Sequence, residues 1–87
     1  MNKNFMQIIN SMLENYAFKQ ENLRTVHAAS PALAGHCVSR HFANLVIGIE
    51  LLEGVAVSAG DYQSADAIRD IFIGLCAGKM PQPFAIG

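Results

Sequence analysis

Val38, Phe42, Leu45, Ile49, Leu52, Ala56 and Ala59 follow one another at steps of 4, 3, 4, 3, 4 and 3. Those steps stack on one face only at the helical period, so the stretch must be a helix with a heptad-like apolar seam. Its ends are marked. Ser30 can cap exposed backbone N–H groups, and Pro31 suits a first helical position, where its missing N–H would go unpaired anyway. At the other end Gly60 fits a left-handed cap and Asp61 starts the next helix. The signals predict a helix from Pro31 to Ala59, about 43 Å long at about 1.5 Å per residue. A helix of that length in so small a body either kinks or projects an interface. Gly48 and Gly54 lie inside it, each costing roughly 1 kcal/mol against alanine. Gly35, Ser39 and Ala43 form a row of small residues that allows close helix packing.

Helical spacing appears twice more. Phe5, Ile9, Met12 and Tyr16 share one face of a helix from Lys3 to about Lys19, widened by Met6, Ile8 and Leu13. Asn2 or Asn4 is placed to cap it. The pattern turns polar at Gln20-Glu21-Asn22, and Leu23 to Ala29 is either a short helix or a continuation. A third helix, Tyr62 to Ala77, has Ala65, Ile68, Phe72 and Leu75 inward. Gly78 and the Met80-Pro81-Gln82-Pro83 stretch stop it. Pro81 to Gly87 is expected to be extended, carrying Phe84 and Ile86 either back onto the body or toward a partner. Neither strand alternation nor a hairpin signal is present. The expected architecture is all-α. It is a small bundle of three to four helices with a long central helix (residues 1–80, one domain) and an extended Pro-containing C-terminal tail (81–87).

Composition now matters. The chain has 87 residues, 52% hydrophobic and only 15% charged. A typical domain carries about 25% charged residues. So short a chain hides only roughly 60–65% of its unfolded surface. It has more apolar surface than a solitary small body hides, which points to a partner or a second copy. Charge is uneven: Lys3, Lys19, Arg24 and Arg40 stand against Glu14 and Glu21 in residues 1–41. Arg69 and Lys79 stand against Glu50, Glu53, Asp61, Asp66 and Asp70 in the remainder. All three histidines fall in the positive part, and such asymmetry suits self-association or a charged partner.

Residue types that carry chemistry are sparse. Cys37 and His41, four apart, share a helix face and make half of a zinc site or a thiol–imidazole pair; closure would need ligands such as His27 or Cys76. The acid pairs Glu50/Glu53 and Asp66/Asp70 lack the histidine of a di-metal bundle. No phosphate loop, nucleophile elbow or zinc-protease motif occurs. No enzyme and no cofactor are expected. Two cysteines are too few for a disulfide framework. The basic cluster Lys19, Arg24, His27, His36, Arg40 and His41 lacks the interleaved aromatics of single-strand binders. Nucleic acid is therefore disfavoured. Phe42 to Gly60 is the most membrane-like window, but Glu50 and Glu53 each cost about 2.5–3.5 kcal/mol at a membrane helix centre. With no secretory pattern after Met1-Asn2-Lys3-Asn4, the expectation is a cytoplasmic chain with no membrane partner.

Leu52 to Ala65, centred on Ala59-Gly60-Asp61-Tyr62-Gln63-Ser64-Ala65, resembles the helix–turn–helix of a tetratricopeptide repeat. Leu52 stands at the first helix's leucine and Ala65 at the second helix's small residue. Glu53 and Phe72 depart from that pattern, the closing proline comes late at Pro81, and the period does not recur. Very small proteins built around one such hairpin include the chaperones of type III secretion needle subunits. The resemblance implies a cytoplasmic chaperone that pairs with a small helical co-chaperone and shields an aggregation-prone helix.

The residues taken together predict a small non-enzymatic interaction module, whether chaperone, adaptor or inhibitor. It would bury its long seam against a protein partner or its own copy. Val38, Phe42, Leu45, Ile49, Leu52, Phe84 and Ile86 are the expected contact residues. The alternatives are a dimeric DNA-associated regulator using the basic cluster at 19–41, and a metal or thiol site at Cys37/His41.

Overall fold

Pro31 cannot donate a backbone hydrogen bond, and it holds the residue before it out of the helical region. Ser30 accordingly has extended backbone, φ −153° and ψ 95°. This single residue separates two long helices in the computed structural model, which describes residues 1–86. They are α1 (Lys3–Ala29) and α2 (Pro31–Ser58); a shorter α3 (Tyr62–Cys76) follows. All the regular structure among the described residues is helical. α2 starts at Pro31 as the Ser30-Pro31 signal indicates, but the Ser30 side chain makes no cap bond; its backbone N–H closes the end of α1 on the Val26 carbonyl at 2.7 Å. The proline alone sets the break.

α1 does not break at Gln20-Glu21-Asn22. Tyr16, Gln20, Leu23 and His27 continue the inner face of Ile9 and Leu13, and Leu23 is buried. The Gln20 side-chain amide donates to the Tyr16 hydroxyl one turn back. Asn2 caps the start of α1 by accepting from the Asn4 N–H at 2.8 Å.

The joint between α2 and α3 is a Schellman turn. The Asp61 N–H donates to the Ala56 carbonyl (2.9 Å) and the Gly60 N–H to that of Val57 (3.0 Å), with Gly60 at φ +76°. α3 ends the same way. The Lys79 N–H donates to the Gly74 carbonyl and the Gly78 N–H to that of Leu75, with Gly78 at φ +81°. Leu52 and Ala65, on either side of the first joint, are both buried. Asp61 caps α3 through both carboxylate oxygens: Oδ1 accepts from the Ser64 N–H (3.1 Å) and Oδ2 from the Ser64 hydroxyl (2.6 Å). The Asn2 N–H in turn donates to Ser64 Oγ at 3.0 Å. That bond sets the start of α1 beside the start of α3. These two helices therefore run the same way, and both are antiparallel to α2.

α2 packs on both neighbours. The core joins Ile9 and Leu13 of α1, Leu45, Ile49, Leu52 and Ala56 of α2, and Ala65, Ile68 and Leu75 of α3. Ile9, Ile49 and Ile68 are sealed from solvent. α3 has 15 residues against 27 and 28 for α1 and α2, so the core fills one end of a body 47 Å long. Beyond the end of α3 only Leu23 and Ala34 are buried, between α1 and α2.

Two outcomes follow from this packing. Ile49→Ala is expected to lower unfolding free energy by about 2–5 kcal/mol, as other large-to-small core changes do. Leu51→Ala, two residues on but on the opposite side of α2, is expected to stay within about 0.5 kcal/mol. Urea melts at low protein concentration check the pair. The second outcome concerns acid. The Ser64 hydroxyl first, and its N–H second, hold the Asp61 carboxyl below its ordinary 3.8. Unfolded chains therefore bind that proton more readily. The cap's contribution is complete above the unfolded-state value and is lost as pH falls through the folded-state one. Asp61→Asn is expected to flatten the fall in melting temperature below about pH 4, measured by circular dichroism.

Candidate interaction surface

The seam expected to meet a partner is divided by the fold. Leu45, Ile49 and Leu52 lie in the chain's own core, where α1 and α3 already cover them. Phe42 is half-buried and packs edge-on against Tyr16, with ring centroids 6.3 Å apart. Of the expected seam residues on α2, Val38 alone is exposed, because it lies past the end of α3. Within one chain, then, Leu45, Ile49 and Leu52 belong to the core and Phe42 packs against it. The reason is local: α1 and α3 are both apolar enough on their inner faces to satisfy the seam within one chain.

The tail residues Phe84 and Ile86 are both half-buried. Phe84 packs on the core. The Asn10 side chain brackets its backbone, accepting from the Phe84 N–H at 2.8 Å and donating to the Phe84 carbonyl at 2.9 Å. A side-chain amide thus pairs with both backbone groups of one residue, as a neighbouring strand would.

A second apolar row on α2 has no cover. Ile47, Leu51 and Val55 follow at i, i+4 and i+8 and are 52%, 66% and 55% exposed. Ala43, Gly54 and Ser58 lie between and beside them, all exposed. No charge falls inside this patch, and Glu50 marks its edge. Toward the start of the helix the same outer face carries Arg40 and His36. α2 is long and apolar enough to cross a membrane by length and composition, with mean hydropathy 1.3 over its most apolar window, of which 22% is buried here. Its signal in the sequence is the i, i+4, i+8 spacing of three large apolar residues on the side of α2 away from the seam.

The basic cluster also divides. Arg24 and His27 look into a groove between the second half of α1 and the first half of α2, whereas His36 and Arg40 lie on the outer face of α2. The groove, about 460 Å3, is lined on α1 by Gln20, Leu23, Arg24 and His27 and on α2 by Pro31, Ala34, Gly35 and Val38. His41 sits apart, beside Met12, Asn15, Tyr16 and Lys19, and its Nδ1 is buried without a hydrogen-bond partner. Cys37 is half-buried and Cys76 exposed, both as free thiols. Among the described residues no three His, Cys, Asp or Glu side chains converge on one point, so Cys37 and His41 gain no third ligand. One ion pair links α2 to α3, Arg69 Nε to Glu53 Oε1 at 4.0 Å. At that length and exposure it adds little.

The chain matches no protein-family model, no curated protein and no solved structure.

The Asn10 bracket gives an expected outcome. Asn10→Ala removes both bonds to the Phe84 backbone and is expected to cost about 1–3 kcal/mol, at about 0.5–1.5 kcal/mol per bond. The larger sign is local. Limited trypsin digestion is expected to cut after Lys79 faster in the variant, with the helices still intact by circular dichroism.

Proposed function

We propose that this chain is a small non-enzymatic protein-interaction module of the cytoplasm that works as an antiparallel dimer through the outer face of α2. The observation that carries the reading is the uncovered row Ile47, Leu51 and Val55 on a helix whose opposite face is already satisfied. Large apolar side chains grouped without an intervening charge mark a contact face more often than scattered ones do. The small residues Ala43, Gly54 and Ser58 let a second helix approach closely.

Charge favours a second copy and an orientation. In an antiparallel pair, Arg40 and His36 of one α2 lie over the half of the other that carries Glu50 and leads into Asp61. A parallel pair would set like on like. Antiparallel packing also opposes the two helix dipoles. Lipid is the poorer cover. The inner face of α2 is packed on α1, whose outer side carries Asn4, Gln7, Ser11, Glu14 and Asn15. Surrounding α2 with hydrocarbon would either bury those groups or take the bundle apart.

Light scattering after size exclusion tests the reading. The expected result is a dimer whose population falls on dilution, and Leu51→Glu is expected to give a folded monomer at every concentration. A wild-type monomer at all concentrations would overturn self-association. A monomer that turns into a stable one-to-one complex with another small helical protein would favour the chaperone pair instead. Recovery in the membrane fraction would favour lipid.

A further inference from the structure

The groove at the open end of the molecule has a particular position: it continues the core. On α1, Leu23 and His27 follow Ile9, Leu13 and Tyr16 along the inner face. On α2, Ala34 and Val38 precede Leu45, Ile49 and Leu52 along the seam. Where the core is complete, α3 occupies the third position of the bundle. α3 stops after 15 residues, whereas α1 and α2 run on for roughly another dozen, about 20 Å. The groove is what remains where a third helix would lie.

From this we infer that the groove binds an acidic amphipathic helix of another protein, which completes the three-helix bundle. The inference rests on the chain being an interaction module but not on the outer face of α2. Three features fix the chemistry of the occupant. The floor is apolar and small, Leu23, Ala34, Gly35 and Val38, so it takes a helix with an apolar residue at every third or fourth position. Gly35 leaves open space where a side chain would stand: a Cβ built there meets nothing within 4 Å. The walls carry Arg24 and His27 and no acidic residue. Glu21, one turn before Arg24 on α1, is the one acid beside them, and it lies outside the lining. A helix flanked by glutamate or aspartate is therefore attracted and one flanked by lysine repelled. A second copy fits less well, because the apolar face of its own α3 is already packed into its own core.

The test uses the full chain, isotope-labelled for NMR, and a synthetic peptide of about 14 residues with leucine at helical spacing and glutamate on its flanks. Titration is expected to move the amides of Leu23, Ala34, Gly35 and Val38, with affinity falling as salt rises. A lysine-flanked peptide of the same apolar pattern is expected to bind at least about fivefold more weakly, and Arg24→Glu to reverse that order. Gly35→Leu fills the groove in the free chain. It is expected to melt no lower than the parent, since leucine favours helix over glycine and the added side chain meets open space. It is also expected to lose at least about tenfold in affinity. Leu51→Glu is expected to bind the peptide unchanged, so a failure of the dimer and a failure of the groove read out separately. Equal binding of both peptides, no binding of either, or unchanged binding by Gly35→Leu would overturn the inference. So would groove amides that shift with the chain's own concentration, which would give the site to a second copy.

Discussion

One row of side chains on α2 holds the other two helices. Leu45, Ile49, Leu52 and Ala56 meet Ile9 and Leu13 on one flank and Ala65, Ile68 and Leu75 on the other. α1 and α3 touch mainly through their ends, where the Asn2 N–H reaches the Ser64 hydroxyl and Ser64 reaches Asp61. The start of α1, the joint after α2 and the start of α3 are thereby fixed at one point. Without the α2 row, neither neighbour has a surface on which to bury its own inner face, since short isolated helices are marginal in water.

The difference in helix length has consequences at both ends. Where three helices overlap, isoleucines from each are sealed. Where only two overlap, burial shrinks to Leu23 and Ala34, and polar or charged residues such as Gln20, Arg24 and His27 enter the inner face. That change of composition is not a weaker version of the same core. A two-helix ribbon leaves one side of every inner residue wet, so residues with an apolar stem and a polar head suit it. The same residues suit a groove that is filled some of the time. Elements with few buried contacts open most easily, and binding segments tend to be drawn from them.

Much of this was legible in the sequence. The seam steps gave α2, the Pro31 break and the Gly60-Asp61 pair gave its limits to within a residue, and Asp61 caps α3 as its position suggested. The all-helical class followed from the periodicity. Two things were not legible, for physical reasons. Gln20-Glu21-Asn22 left open whether Leu23 to Ala29 is a separate helix or a continuation, because three polar residues in a row resemble a loop. In a helix they spread over most of a turn, and only Gln20 has to face inward. Which apolar row of α2 is covered also depends on the neighbours. A helix apolar on more than one side has no preference of its own, and α1 and α3 settle the choice by presenting their stripes to the more regular seam.

Asn10 illustrates the same limit at the scale of one residue. In the sequence it is a polar residue on the wet side of an amphipathic helix. In the fold it is the partner of a backbone 74 positions away, and its two bonds hold Phe84 against the core. Prolines at 81 and 83 remove two donors from the tail, so the tail cannot join a helix and offers few groups to a strand. The Asn10 amide carries both donors and an acceptor, so it meets the C=O and the N–H of Phe84 at once. The apolar excess of the chain therefore divides in three. The regular seam and Phe84 close the core, the row Ile47–Leu51–Val55 stays exposed, and Leu23 and Val38 line an open groove. Only contacts distant in sequence decide among these, which is why composition alone shows an apolar excess but not where it lies.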